Sequence, residues 1–288
     1  MRRDKVNESL SDNALERAIR VRQVQRHVYA SPQQQDISDQ LAEEMPVAMV
    51  FNGISHAVML ATPVDLEDFA IGFSLSEQII DDLSDIYDIE CRETPGTLGV
   101  EVHLHIAASC FARLKERRRS LAGNTGCGLC GIESLQALPA QVPPVSYGGR
   151  AVPMLHKSSL LKAIQALGMQ QPFNILTGAM HAAAWVDLEG DIRLLREDVG
   201  RHNALDKLIG AMSDGDHTGN EGFVLMSSRI SYELVQKMAH ANIAILAAIS
   251  APTALAIDIA ERSGICLIGF VREHGFVVYS HPEMLVAE

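Results

Sequence analysis

The stretch GFVLMSSRISYELVQKMAHANIAILAAISAPTALAIDIAERSGICLIGFVREHGFVVYS, residues 222–280, decides the fold. It holds three short runs that are apolar almost throughout: Gly222 to Ser227, 243–249, and Ile265 to Phe270. A strand with one wet face alternates apolar and polar residues, whereas an unbroken apolar run is a strand covered on both faces. Between the runs lie segments with helical spacing, Ser231 to Ala241 and 252–262. Pro252 suits the first turn of the second helix and Gly264 ends it. A polar turn, Arg272-Glu273-His274-Gly275, leads into a last strand, Phe276 to Ser280. Strands alternating with helices in this way build a sheet clad by helices.

Working outward, two strands at about 179–187 and 191–197 flank a turn at Leu188-Glu189-Gly190-Asp191, and a helix starts near Asp198 and covers roughly 202–212. Ser158 to Leu167 is a further helix, stopped by Gly168. The order helix, strand, strand, helix, strand, helix, strand, helix, strand, strand matches the cytidine deaminase-like fold, an α/β three-layer mixed sheet. That match is an analogy of element order and carries no chemistry of its own.

Ahead of this domain the sequence predicts a smaller β/α subdomain over 41–110. Pro46 to Phe51 and Ile54 to Leu60 are strands joined by the hairpin signal Asn52-Gly53. Thr62 and Pro63 open a helix that runs to about Ile79, with Thr62 as N-cap. Gly99 to Ile106 is another strand. Residues 1–40, polar and carrying Gln33, Gln34 and Gln35 in a row, read as a flexible tail. Residues 111–150 read as a mobile glycine- and proline-rich loop that begins with Arg113, Lys115, Arg117, Arg118 and Arg119. The deaminase-like domain then fills 151–288.

Composition narrows the function. With 288 residues and 47% hydrophobic content, the chain can bury a core without disulfide or metal staples. Lys and Arg total 24 against 36 Asp and Glu, a net charge of -12, so no global nucleic-acid footprint exists and any anion site must be local. Aromatics, at 5%, are too few for a single-strand stacking platform. Five cysteines in a chain this long are not a disulfide framework. No secretory leader or membrane span is expected, and the default compartment is the cytoplasm with reduced thiols.

Two clusters carry the chemistry. The first is Cys127-Gly128-Leu129-Cys130, inside Gly123-Asn124-Thr125-Gly126-Cys127-Gly128-Leu129-Cys130-Gly131. A Cys-x-x-Cys pair after a basic run suits a thiolate nucleophile with a resolving partner. It also suits half of a zinc site or a structural pair, and the spacing alone leaves these open. The second is Arg196-Glu197-Asp198-Val199-Gly200-Arg201-His202-Asn203-Ala204-Leu205-Asp206-Lys207. Arg201, His202 and Asn203 at a helix N-terminus suit an anion. Equally, Asp198 can cap the helix while Asp206 and Lys207 face solvent. His181, beside Gly178 and small residues, is open between a structural imidazole and a ligand. A zinc deaminase needs His-x-Glu on the second helix and Pro-Cys-x-x-Cys on the third. Here those places read His202-Asn203-Ala204 and Ser228-Arg229-Ile230-Ser231, so that ligand set is missing and no permanently bound metal is predicted.

Together these stretches resemble the formate dehydrogenase accessory sulfurtransferase family (FdhD/NarQ). The resemblance runs from about residue 45 to 282. It also uses Thr177-Gly178-Ala179-Met180-His181-Ala182-Ala183, Ser228-Arg229-Ile230-Ser231-Tyr232-Glu233, Ser250-Ala251-Pro252-Thr253 and Gly269-Phe270-Val271-Arg272. It implies a sulfurtransferase that takes sulfur from a cysteine desulfurase and passes it to the molybdenum bis(molybdopterin guanine dinucleotide) cofactor that formate dehydrogenase requires. By resemblance, Cys127 carries the persulfide and Cys130 assists. The same resemblance places the guanine-dinucleotide cofactor on Phe270, Val271, Arg272, Glu273, His274 and Gly275. Arg118, Arg119, Arg201 and Arg272 are the cations expected to meet its pyrophosphates. A homodimer is expected. The alternative is a non-catalytic chaperone that binds the molybdenum cofactor with structural cysteines.

Overall fold

The computed structural model describes residues 12–29, 34–93, 96, 98–122, 142–146, 149, 151–213, 215, 219 and 221–286. The chain opens with α1 (Asp12–Ala18), followed by an antiparallel ribbon of β1 (Ile19–His27) and β2 (Gln34–Ala42). This corrects the expected flexible tail over 12–29 and 34–40; residues 1–11 and 30–33 lie outside the described residues. Val24 and Ile37 face each other across the ribbon, and Ala18 is buried beside Val64, Phe173 and Met180. The polar composition belongs to the ribbon's exposed faces.

A four-stranded sheet follows, in the order β4-β3-β6-β5. Its strands are β3 (Met45–Phe51), β4 (Ile54–Ala61), β5 (Ile86–Glu93) and β6 (Val100–Ile106). The hairpin between β3 and β4 turns at Asn52 and Gly53, both at positive φ as a two-residue turn of this kind demands. One face of the sheet packs on α2 (Leu66–Ser76) around Val47, Met49, Phe51, Phe69, Phe73, Val102 and Leu104. The helix predicted from Pro63 to Ile79 is thus shorter at both ends, and Thr62 is not its cap. Asp65, at φ 52, redirects the chain into α2. Strand β5 escaped prediction because its acidic residues mask the apolar positions Ile86 and Ile89.

A second correction concerns 111–150. Residues up to 122 continue α3 (Ala108–Ala122). Cys110 and Leu114, one helical turn apart, are buried in the small core, and Arg113 binds Asp81 through both guanidinium Nη atoms at 2.8 and 3.0 Å. Arg113, Lys115 and Arg117 of the basic run lie on the wet side of that helix.

The larger core belongs to a six-stranded mixed sheet ordered β12-β11-β10-β9-β7-β8. After α4 (Lys157–Leu167) and α5 (Pro172–Thr177) come β7 (His181–Asp187), β8 (Ile192–Asp198) and α6 (Arg201–Ser213). Then follow β9 (Gly222–Met226), α7 (Tyr232–His240), β10 (Ile245–Ala248), α8 (Ala254–Ser263), β11 (Cys266–Arg272) and β12 (Gly275–Ser280). Strands β9, β10 and β11 are parallel, and β9 and β10 are buried at every residue. Thr253 rather than Pro252 starts α8, its hydroxyl accepting the Ala256 N–H at 3.3 Å. Among the described residues, no helix is long and apolar enough to cross a membrane.

Two glycines join the sheets. A Cβ on Gly72 of α2 would lie 1.7 Å from the Asp206 carbonyl oxygen, and one on Gly210 of α6 would lie 1.9 Å from that of Asp68. The two helix backbones therefore touch, which leaves α6 buried on nearly all sides between the cores.

Candidate functional site

Every functional stretch read from the second cluster converges on one end of the six-stranded sheet. The parallel strands β9, β10 and β11 point their carboxyl ends there, and α6, α7 and α8 present their N-termini there. His181 opens β7 and pairs in register with Asp198, the last residue of β8. Arg201 and His202 begin α6, Ser228 and Arg229 follow β9, and the 270–275 turn closes β11. Open α/β sheets take ligands in this crevice, where helix N–H groups and dipoles favour anions.

The side chains fit that role. Arg201 Nε is buried without a hydrogen-bond partner among the described residues. A buried guanidinium nitrogen left unpaired is costly, so an acceptor belongs beside it. His181 is half-buried, and its pKa lies below the ordinary value through burial and through the nearby cations Arg201 and Arg229. His202 is pushed down as well, first by burial. Its Nε2 lies 2.8 Å from Glu233 and 3.3 Å from the Ser231 hydroxyl. Both imidazoles are therefore neutral near pH 7 and able to accept or donate.

Behind this surface is a buried charge network that the sequence reading missed. Asp198 and Lys207 are fully buried and lie 2.7 Å apart. Asp198 Oδ2 also accepts the Thr62 N–H at 3.0 Å. Its Oδ1 accepts Gly200 N–H at 2.8 Å and Asn203 Nδ2 at 2.9 Å. Lys207 donates to the Thr62 carbonyl at 2.9 Å, and Thr62 Oγ1 accepts the Val199 N–H at 3.2 Å. Asn203 reaches on to the Leu60 carbonyl at 2.8 Å. Thr62, read from sequence as a helix cap, is the knot between the small sheet and the mouth of α6. Deeper in, Lys237 pairs with Asp206 at 3.0 Å and Glu77 at 2.8 Å, and Asp206 also accepts from the Ser76 hydroxyl at 2.7 Å. The solvated alternative for Asp206 and Lys207 is corrected: both are buried and paired. The signal was present, since charges at 206 and 207 interrupt the apolar run Ala204, Leu205, Leu208, Ile209.

Glu197 is 2% exposed and accepts the N–H groups of Phe173 and Asn174 at the start of α5, at 2.9 and 2.8 Å. Burial nevertheless pushes its pKa up to about 7.

In the 270–275 turn, Phe270 has φ 53 at an irregularity in the β11–β12 register and is 45% exposed. Such a conformation is costly for an aromatic residue. Arg272, Glu273, His274 and Gly275 are exposed. Val271 is buried, so only its backbone is on offer.

The first cluster is different. Cys127 and Cys130 lie outside the described residues. Arg118 and Arg119 lie on α3, and their side chains are likewise outside the description. The flanks of the cysteine segment are described. Before it, Arg117 of α3 donates to the Glu77 carbonyl at 3.0 Å. After it, Ser146 and Asn242 exchange two hydrogen bonds of 2.7 Å, and Val145 N–H donates to the Ser263 carbonyl at 2.8 Å. Asn242 and Ser263 precede β10 and β11. Residues 142–146, which follow the cysteine segment, are therefore anchored at the amino ends of the parallel strands, opposite the arginine–histidine end. Burial raises the thiol pKa of each of the remaining cysteines, Cys91, Cys110 and Cys266, and that of the core thiol Cys266 to about 12.

Fold and site thus define a mixed α/β protein in which His181, Arg201, His202 and Arg229 stand at one end of the main sheet and residues 142–146, after the Cys-x-x-Cys segment, bind at the other. Residues 42–286 match the FdhD/NarQ family, and the chain belongs to it. A relative from Bordetella petrii, named "Sulfur carrier protein FdhD", is 52% identical over 248 residues, covering 86% of this chain and 87% of its own. One from Cupriavidus necator with the same name is 53% identical over 250 residues, covering 87% and 85%. The crystal structure of a candidate formate dehydrogenase accessory protein from Desulfotalea psychrophila superposes with a TM-score of 0.72 at 22% identity. It covers 93% of this chain and all of that one, and supports the fold.

Proposed function

We propose that this protein is a sulfur carrier for formate dehydrogenase, acting as a sulfurtransferase with a persulfide on Cys127. A cysteine desulfurase is the donor and the bis-guanine-dinucleotide molybdenum cofactor is the acceptor, handled as substrate. Family membership and the names of the relatives support sulfur carriage. The unpartnered Arg201 nitrogen at the carboxyl ends of the strands is the observation that carries the nucleotide half.

The step is a thiolate exchange. Cys127 thiolate attacks the outer sulfur of the desulfurase persulfide, the S–S bond breaks, and the desulfurase thiolate leaves. Cys130 stands three residues on, placed to receive or steady that sulfur. For the cofactor, Arg201 and the α6 N-terminus meet pyrophosphate oxygens, and Phe270 offers an exposed ring for a guanine. Strands β7 and β11 are three spacings apart, about 14 Å, a span that suits an extended nucleotide.

The element order supports a cytidine deaminase-like arrangement for the larger domain. His202 is the one histidine or cysteine at the two helix starts a deaminase uses, where His and two Cys are needed, so the residues present do not fit that zinc. A homodimer, as proteins of the deaminase-like fold often form, and a place in the cytoplasm, the default for a chain with reduced thiols, complete the reading.

Intact-protein mass after incubation with a cysteine desulfurase and cysteine tests the sulfur step. The wild type gains one reductant-labile sulfur and Cys127→Ala gains none. An unmodified wild type alongside an active desulfurase would leave the cofactor-binding chaperone with structural cysteines.

A further inference from the structure

The Asp198–Lys207 pair stands where a carboxylate is least welcome to an anion-binding protein. Asp198 Oδ1 lies 2.8 Å from the Gly200 nitrogen, one residue before α6 begins, and 2.9 Å from Asn203 Nδ2 in its first turn. An uncompensated negative charge there would cancel the helix dipole and repel a phosphate. The carboxylate is nevertheless needed, because it collects four donors from three parts of the chain: Thr62, Gly200, Asn203 and Lys207. Lys207 lies two turns down α6, is 0% exposed, and reaches back to put its ammonium 2.7 Å from Asp198 Oδ2. Its other contacts are the carbonyls of Thr62 at 2.9 Å and Glu197 at 3.4 Å and, at 6.0 Å, the face of Phe69.

We infer that Lys207 is a charge-compensating positioning residue, which neutralises Asp198 so that the mouth of α6 both keeps its shape and stays receptive to a phosphate-bearing ligand. It acts through Asp198 and does not touch the ligand. The inference rests on the nucleotide reading of the crevice and assigns a cause to the lysine within it.

The test is guanosine diphosphate binding by calorimetry on the full chain, with persulfide loading on Cys127 measured in parallel. Lys207→Met weakens binding by about tenfold or more, the effect of one uncompensated charge in a poorly screened site, and leaves sulfur loading unchanged. Adding Asp198→Asn to Lys207→Met removes the stranded charge and recovers most of the affinity. A lysine that merely held the fold would lower melting temperature in both variants with no recovery of affinity in the second. Where Lys207→Met does not fold, Lys207→Gln, which retains a donor for Asp198 and Thr62, carries the same expectation of weakened binding. Wild-type affinity in a folded Lys207→Met or Lys207→Gln variant overturns the inference, as does a double variant no better than the single one. A wild-type protein that binds no guanosine diphosphate sinks the nucleotide reading itself, and is distinguishable because it needs no variant.

Discussion

The two ends of the six-stranded sheet are built on opposite plans. At the carboxyl ends, side chains are locked by buried hydrogen bonds before any ligand arrives: Asp198, Asn203, Thr62 and Lys207 hold the backbone from which Arg201 and His202 project. At the amino ends, residues 142–146 after the cysteine segment are held by the exposed Ser146–Asn242 pair and by Val142 and Val145, which are buried in the larger core. A site that must recognise a fixed shape profits from preorganisation. A thiol that must meet a donor and then an acceptor profits from a long tether. On the proposed function, nucleotide recognition and sulfur carriage use separate parts of the chain, and the separation can be tested.

Cys127→Ala has the largest expected effect on either end. Sulfur loading falls to nothing, while guanosine diphosphate affinity stays within about twofold of the wild type. A matched loss of nucleotide binding would break the comparison. Gly210→Val comes next. Its side chain has no room against the Asp68 carbonyl, and overpacking of this kind costs about 3 kcal/mol or more. Melting temperature falls steeply and both functions go together, because α6 joins the two cores. Arg201→Ala sharpens the contrast from the other end: nucleotide affinity drops about tenfold, in line with loss of a charge-assisted hydrogen bond, with sulfur loading intact.

A pH series probes the locked end through Glu197. Its pKa in the fold is about 7 against an ordinary 4.5. The folded state therefore binds more protons than the unfolded one between those values, so stability falls as pH rises from about 4.5 to 7. At pH 7 and above the loss amounts to about 3 kcal/mol at most. Glu197→Gln flattens that part of the melting-temperature profile, and an unchanged slope would contradict the assignment. Asn242→Ala is the mildest change. It removes two largely exposed hydrogen bonds worth about 1 kcal/mol each at most, slows sulfur loading and leaves nucleotide affinity alone.

Much of this was legible in the sequence, for reasons that differ by region. The apolar runs at 222–227, 243–249 and 265–270 read directly as strands because burial on both faces permits few polar residues. The Asn52-Gly53 turn was readable because its backbone demands those residue types. The β1–β2 ribbon and α3 were not, since an exposed hairpin and a helix with one buried stripe look like polar coil to composition. The buried ions were hidden for a deeper reason. Lys207, Lys237 and Asp206 are stable inside only because partners reach them: Thr62, Asp198, Ser76 and Glu77. Asp198 shares the 196–207 stretch with Lys207, but no local window contains Thr62, Ser76 or Glu77 with them. Arg201 and His202 were legible by their place at a helix start, and the structure adds a buried Arg201 nitrogen with no hydrogen-bond partner among the described residues.

The proposed nucleotide site lies at the carboxyl ends of the main sheet, away from the described residues 142–146 that follow the cysteine segment. Hydrogen–deuterium exchange with and without guanosine diphosphate tests this most directly. The account predicts protection in peptides covering 181–182, 199–204, 228–231 and 270–275, with exchange unchanged in 142–146 and around Asn242 and Ser263. Protection confined to the amino-end anchors, with the 199–204 and 270–275 peptides unaffected, would contradict it.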